Sequence, residues 1–104
     1  MKKTVFLLLT LIACGDKDEG EYADILALDG DIAAGETLYT TNCSGCHGVD
    51  GEGVTGPAID DHVFEHGDEH ILEVVFNGEG EMPPFDLTDQ EAVDILAYLH
   101  DAFE

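Results

Sequence analysis

Apolar positions recur at the helical period in the middle of this 104-residue chain. The pattern predicts a helix over residues 32–42, with Asp29 or Asp31 as its N-cap. Four residues fall along one side of this helix: Ile32, Gly35, Tyr39 and Cys43.

Two further helices are predicted in the second half of the chain. Asp68 can cap a helix over residues 69–76, and Asn77-Gly78 supplies its stop signal. Thr88-Asp89-Gln90-Glu91 is a capping box, which predicts the start of the last helix. That helix carries a broad apolar stripe: Ala92, Ile95, Leu96, Leu99, Ala102 and Phe103.

Gly35 lies inside the first predicted helix, where glycine costs about 1 kcal/mol relative to alanine. A position without a side chain lets a second helix approach closely. We therefore expect Ile95 and Tyr98 of the last helix to pack over Gly35. The alternative is that the two helices are only neighbours and that the glycine has no packing role.

The N-terminus resembles a secretory signal. A basic start precedes an apolar run over residues 5–13, which is too short to span a bilayer as a helix. Leu-Ile-Ala-Cys at residues 11–14 resembles the lipobox of bacterial lipoproteins, which implies removal of residues 1–13 and lipidation of Cys14. An ordinary signal that is cut nearby would instead leave Cys14 as a spare thiol. The lipid-anchored form is expected, outside the cytoplasmic membrane and either periplasmic or at the cell surface.

Residues 14–30 are predicted to be a flexible, acidic and lipidated tether, because Gly, Asp and Glu dominate their first half. The folded domain is then expected over residues 31–104. Ile25, Leu26 and Leu28 leave another possibility open, since they could dock on the domain or begin its first helix early.

The chain is strongly acidic, with 24 Asp or Glu residues, three Lys or Arg, five His and a formal net charge of −21. This charge excludes nucleic-acid binding as a main function, because phosphate contacts need a basic surface. One explanation is a redox partner with a basic docking face. The other, slightly favoured, is a surface adapted to a salty medium, because signal removal would leave Lys17 as the only Lys or Arg.

The segment Cys43-Ser44-Gly45-Cys46-His47 carries the candidate chemistry. Two thiols three positions apart lie on neighbouring points of one helical turn, so both can form thioethers with the vinyl groups on one side of a porphyrin. C-x-x-C-H is the attachment signal of c-type haem. A thioredoxin-like redox pair would need a surrounding βαβ pattern, and a zinc site would need a second cysteine pair. The sequence shows neither, so one haem per chain, bound through Cys43 and Cys46, is expected.

The chain from about residue 31 to 104 resembles the small monohaem (class I) cytochromes c. Four stretches carry the resemblance, in the order of that family: Gly35-x-x-Leu38-Tyr39-x-x-x-Cys43, Gly56-Pro57-Ala58-Ile59, Asn77 to Pro83, and Ala92 to Phe103. The resemblance implies an all-α cytochrome c fold of three to four short helices around one covalently bound haem. It also implies that the Pro57 carbonyl accepts a hydrogen bond from His47, and that His47 and Met82 are the axial ligands of iron.

The function implied by two filled axial positions is outer-sphere transfer of one electron between respiratory-type redox partners. We expect a monomer that is not an enzyme, since no catalytic dyad is visible. One alternative is a haem-based sensor in which a small ligand or a histidine displaces Met82. A second alternative is a cytochrome subunit that is docked permanently on an oxidoreductase.

Three histidines recur every four residues: His62, His66 and His70. Gly67-Asp68 interrupts the helix that would place them on one face. These histidines could form a weak metal site with neighbouring glutamates, or one of them could replace Met82 as a ligand of the haem iron. Solvated surface positions are the expected ones, and His100 on the last helix is also expected to be exposed.

Overall fold

The computed structural model describes residues 19–61 and 63–104 of the chain. These residues form five helices, α1 (Glu19–Leu26), α2 (Ile32–Asn42), α3 (Ser44–His47), α4 (Asp68–Asn77) and α5 (Asp89–Phe103). The only strand-like pairing in this described part is an isolated bridge between Glu79 and Met82. The all-α prediction is confirmed, and α2, α4 and α5 are the three helices that the pattern predicts. The additional helices are α1 and the single turn α3.

Helices α2 and α5 cross at Gly35. A β-carbon at Gly35 would overlap the carbonyl oxygen of Asp94 and would lie 2.9 Å from Cβ of Tyr98. Only glycine allows the two helices to approach this closely. The predicted packing role of Gly35 is therefore confirmed, although Asp94 rather than Ile95 is the nearest residue of α5.

Asp94 is a charged side chain in this crossing that is only 6% exposed. Its Oδ1 atom accepts hydrogen bonds from the backbone N–H of Asp31 and the side-chain amide of Gln90, both at 2.8 Å. The Asp31 carboxylate caps α2 in turn, accepting from the N–H of Ala34 at 3.2 Å. Asp31 rather than Asp29 is thus the N-cap. A buried carboxylate with its hydrogen bonds satisfied ties the start of α2 to α5.

The ends of α4 and α5 follow local signals. Helix α5 begins with the predicted capping box, in which Thr88 Oγ1 accepts from the Glu91 N–H at 3.0 Å and Glu91 Oε1 accepts from the Thr88 N–H at 2.9 Å. Helix α4 stops at Gly78, whose φ is 81°. The predicted cap of α4 is wrong by one residue: Gly67 is the N-cap and Asp68 is the first helical residue. The Asp68 carboxylate binds a histidine of α5 instead of capping its own helix.

Helix α1 lies within the stretch predicted to be a flexible tether. Tyr22 and Ile25 are only 4% and 1% exposed. They form a cluster with residues of α4 and α5: Leu72, Ala92 and Val93. For residues 19–26 the structure therefore favours the docking that the sequence left open over a flexible tether, because apolar side chains of this stretch are buried on the domain. Leu28 just beyond α1 stays 40% exposed.

The predicted signal segment, residues 1–13, and the predicted lipidation site Cys14 lie outside the described residues. Both therefore remain predictions. Over residues 19–61 and 63–104, no helix has the length and apolar character needed to cross a membrane.

The larger part of the core lies between α2, α4 and α5. Its buried members are Tyr39, Ile71, Val75, Ile95, Leu96 and Leu99. Most of these side chains also border a cavity, so the core of the domain continues directly into the candidate site.

Candidate functional site

A cavity of about 460 Å³ opens beside the core, a volume within the range of small-molecule and cofactor sites. Apolar side chains from several elements line it, among them Ile59, Val63, Ile71, Val75, Phe85 and Leu99. The structure brings all five residues predicted for the haem site to the same cavity: Cys43, Cys46, His47, Pro57 and Met82.

The cysteine and histidine residues reach the cavity because α2 and α3 follow one another with a single cap residue between them. The N–H of Cys43 still donates to the Tyr39 carbonyl at 2.8 Å, and the N–H of His47 donates to the Cys43 carbonyl at 3.0 Å. The motif therefore winds as one helical turn. Cys43 is half-buried and Cys46 is exposed, so one thiol lies deep and the other lies at the surface.

One hydrogen bond fixes the His47 ring. Its Nδ1 atom lies 2.8 Å from the carbonyl oxygen of Pro57. A carbonyl can only accept, so Nδ1 carries a proton, and in the neutral imidazole Nε2 then has the lone pair. This is the tautomer in which imidazole binds a metal through Nε2.

The loop after α3 brings Pro57 into place by folding back over the motif. Two backbone N–H groups of this loop, from Val54 and Gly56, donate to the Cys46 carbonyl at 3.0 and 2.8 Å. A β-carbon on Gly56 would lie 3.2 Å from Cε1 of His47. The glycine before Pro57 therefore allows the loop backbone to lie directly against the imidazole.

The Cys43 thiol is not an activated nucleophile. Burial, with a smaller contribution from Cys46, raises the pKa of Cys43 to about 11. A reactive redox thiol acts as its thiolate, which a lowered pKa favours. The environment of Cys43 thus argues against the thioredoxin-like alternative.

Tyr39 supports this site in a way that the sequence did not indicate. Its ring is 1% exposed, and its hydroxyl donates to the Gly48 carbonyl at 2.7 Å. Burial raises the pKa of Tyr39 to about 12, so the hydroxyl remains a donor at neutral pH. The rings of Tyr98 and Phe103 lie 5.4 and 6.0 Å away, which fixes the ring beside the cavity.

Met82 lines the cavity from a short loop between α4 and α5. Glu79 and Met82 exchange two backbone hydrogen bonds, at 3.0 and 2.9 Å. A β-carbon on Gly78 would lie 2.6 Å from the Met82 carbonyl oxygen, and the N–H of Phe85 donates to Val75 of α4 at 2.9 Å. The loop that carries the thioether is thus tied at both ends.

His66 and His70 also line the cavity, with ring centroids 5.1 Å apart. The expectation of purely solvated positions is wrong for His70, which is half-buried at the start of α4. No group of three or more metal-ligating side chains occurs in the described part of the chain. His62, the third histidine of the series, is not among the described residues.

His100 is not the exposed residue that its position predicted. Its Nε2 atom lies 3.0 Å from Oδ1 of Asp68, and its Nδ1 atom lies 2.8 Å from Oε1 of Glu104. The ring stacks on Phe64 with centroids 4.2 Å apart. Sequence spacing could have suggested the Glu104 contact four residues away, but not the contact with Asp68.

The residues of the cavity fit a covalently attached haem. A largely apolar lining suits a flat macrocycle, and two thiols on one helical turn match its two vinyl groups. An imidazole nitrogen and a thioether sulfur, from His47 and Met82 in the same cavity, are donors of the kinds that haem iron takes. Zinc sites need a compact set of three or four ligands, which these residues do not provide.

Comparisons with known proteins agree with this fit. The family model for cytochrome c oxidase, cbb3-type, subunit III matches residues 30–99. The chain is 36% identical to cytochrome c-551 of Bacillus subtilis over 95 residues, covering 89% of this chain and 85% of that protein. It is 42% identical over 67 residues to the cbb3-type cytochrome c oxidase subunit CcoP of Rubrivivax gelatinosus, covering 60% of this chain but 22% of that subunit.

A solved structure also matches over most of the chain. It is cytochrome cL from the marine methylotrophic bacterium Methylophaga aminisulfidivorans, with a TM-score of 0.66 and 30% identity. The match covers 88% of this chain and 70% of that one.

Proposed function

This chain belongs to the small monohaem cytochromes c, and we propose that it is a lipid-anchored electron carrier working outside the cytoplasmic membrane. As a member of that family it binds one covalent c-type haem through Cys43 and Cys46. It is an electron-transfer protein rather than an enzyme. The bound haem supplies one iron that alternates between the ferric and ferrous states.

The hydrogen bond between His47 and Pro57 is the observation that carries the proposed ligation. His47 Nδ1 lies 2.8 Å from the Pro57 carbonyl oxygen. This contact leaves the lone pair of Nε2 available to bind iron. Met82 borders the same cavity, and its soft thioether suits ferrous haem iron. When both are bound, no position on iron is open to oxygen or substrate, and this supports outer-sphere electron transfer.

The surface beside the motif offers a contact site for a redox partner. Cys46 is exposed, so the attached edge of the cofactor is expected to lie near the surface. Val49 and Val54 in the following loop are 65% and 66% exposed. Asp50 and Glu52 lie between them in the sequence. This composition suits a partner whose apolar contact area is surrounded by basic residues.

Optical spectra of the full chain, produced with a c-type haem maturation system, test the ligation. We expect sharp Soret and α bands after reduction, and the weak long-wavelength band of a methionine–iron bond in the oxidised protein. Met82→Ala should abolish that weak band while the haem stays covalently attached. Absence of the band in the unaltered protein would instead favour the sensor alternative, with a displaceable sixth ligand.

Anchoring is proposed to come from lipid on Cys14. Two or three acyl chains hold a protein at a membrane without a transmembrane helix. Cys14→Ser should move the protein from the membrane fraction to the soluble fraction, whereas Ala13→Gly, which keeps a small residue before the cysteine, should not. Mass spectrometry of the mature N-terminus would reveal an unlipidated start if the proposal is wrong.

The permanently docked subunit is a second candidate, because the family model and CcoP are both oxidase-related. The match with CcoP covers only 22% of that subunit, whereas the match with cytochrome c-551 covers 85%. This difference favours the separate carrier. Copurification of a stoichiometric oxidase after gentle solubilisation would favour the docked subunit.

A further inference from the structure

Histidines are the only side chains in the described part of the chain that can carry a positive charge near neutral pH. The sequence has three Lys or Arg residues in all, and each precedes residue 19: Lys2, Lys3 and Lys17. His47 is held by Pro57, and His100 binds two carboxylates. The pair His66 and His70 has neither of these roles.

His66 and His70 border the cavity from the turn before α4 and from the first turns of α4. Their rings meet at 62° with centroids 5.1 Å apart. Tyr39 and Asn42 also line the cavity, but each already donates to a backbone carbonyl, at 2.7 and 3.0 Å. Thr55 adds a neutral hydroxyl to the lining. With His47 held by Pro57, the histidine pair therefore supplies the donors of this cavity that can also carry a positive charge.

We propose that His66 and His70 hold the two propionate carboxylates of the attached haem. A haem brings two carboxylates into a protein that already has 24 acidic residues, and Glu79 and Glu81 border the same cavity. Carboxylates in such surroundings are destabilised unless a cation or a set of donors faces them. In haem, the propionates are attached on the opposite side of the macrocycle from the vinyl groups. Their partners are therefore expected from a segment other than the one that carries the cysteines, and His66 and His70 belong to such a segment.

This role would make the equilibrium between the ferrous and ferric forms of the protein depend on pH. Imidazole changes its charge between pH 5 and 8. A protonated ring beside the haem favours the ferrous form, because reduction removes one positive charge from the iron centre. Six other titratable side chains line the cavity: Tyr39, Cys43, Cys46, His47, Glu79 and Glu81. The cysteines lose their protons in the thioethers, and the two glutamates oppose the effect of the histidines.

The test uses the haem-loaded full chain and a His66→Gln/His70→Gln double variant, since glutamine donates a hydrogen bond but does not titrate. At a fixed solution potential, the ferrous-to-ferric ratio of the unaltered protein should fall roughly 3- to 10-fold between pH 5 and pH 8, because the histidines beside the propionates lose their positive charge. The double variant should lose most of that change, and its haem propionate proton resonances should shift. His100→Gln removes a histidine that does not line the cavity and should keep the original profile.

An unchanged pH profile together with unchanged propionate resonances in the double variant would overturn the inference. So would loss of the methionine–iron band of the unaltered protein within this pH range, because a histidine replacing Met82 would then cause the pH dependence. The inference rests on the haem site of the proposed function. If the methionine–iron band is absent at every pH, the His47/Met82 ligation fails while the propionate resonances still test the histidine pair.

Discussion

The two hydrophobic clusters of this small domain differ in what packs against them: protein side chains for one, and the cofactor cavity for the other. The scaffold cluster is completed by the protein alone, and consists of Tyr22, Ile25, Leu72, Ala92 and Val93. The cofactor cluster borders the cavity of about 460 Å³ and consists of Tyr39, Ile71, Val75, Ile95, Leu96 and Leu99. Five of its six residues line that cavity, so an attached haem would extend this cluster.

Because of this difference, one region of the chain contributes mainly to the free energy of unfolding and the other mainly to the properties of the cofactor. A small domain buries a limited apolar area, so it gains stability from a covalent group that adds to its core. Substitutions in the scaffold cluster should therefore lower the free energy of unfolding without changing iron ligation. Changes on the cavity side should alter the cofactor itself.

The largest expected effect comes from removing the attachment thiols. Cys43→Ala combined with Cys46→Ala should eliminate covalent haem completely, because no other thioether can form at this site. Haem staining after denaturing electrophoresis and intact mass measure this loss. Cys14→Ala, which removes the third cysteine of the chain, should retain covalent haem. Haem that remains covalent in the double variant would contradict the assignment of both cysteines.

Ile25→Ala should be the next largest change, since this side chain is 1% exposed in the scaffold cluster. We expect a loss of about 2–4 kcal/mol in the free energy of unfolding, measured by denaturant titration of the haem protein. The visible spectrum should not change. Leu28→Ala, at a position 40% exposed, should cost less than about 1 kcal/mol. Equal costs at the two positions would show that α1 does not dock.

Gly35→Ala should destabilise the crossing of α2 and α5 by about 1–3 kcal/mol, because the new methyl group would overlap the Asp94 carbonyl. The comparison is with Ala33→Gly on the exposed side of α2, which alters helix propensity alone and should cost about 1 kcal/mol. Thermal unfolding of both variants measures the difference. A stabilised Gly35→Ala protein would mean that the helices do not approach at this residue.

The smallest expected effect is a pH dependence that arises at His100. Burial opposes its protonation, but hydrogen bonds to Glu104 and Asp68 outweigh burial and raise the pKa of His100 above its usual 6.5. The resulting stability is fully present below about pH 6.5 and is lost as pH rises through the raised pKa. The side chain is 34% exposed, so solvent screening limits the contribution to less than about 1 kcal/mol.

His100→Gln should remove this part of the pH dependence. Unfolding titrations of the two proteins at pH 5.5 and pH 8 should therefore differ more at the lower pH. A larger difference at pH 8 would show that the imidazole is bound in its neutral form.

The residues whose roles were recognisable in the sequence are governed by near neighbours. The capping box from Thr88 to Glu91 spans four residues, and Gly78 ends α4 through its own backbone conformation. The Cys43–His47 motif is a single helical turn. Its spacing alone therefore presents both thiols and the imidazole to one macrocycle.

The roles that the sequence did not reveal depend on distant partners. Asp94 looks like one more acidic position on α5, yet it is bound to the backbone of Asp31, 63 residues earlier. Asp68 looks like a helix cap, but its carboxylate binds His100, 32 residues later. For Ile25 the sequence left both a tether and docking open, and only the surface formed by α4 and α5 shows that this side chain is buried.

Helices α2, α4 and α5, the acidic character and the haem attachment motif could thus be predicted from the sequence, because each follows from composition or from residues within a few positions. Only the folded chain shows that α1 docks, that a buried carboxylate ties α2 to α5, and that His66 and His70 line the cavity. These features depend on which surfaces the folded chain brings together, and a helical or charge pattern is equally compatible with several such arrangements.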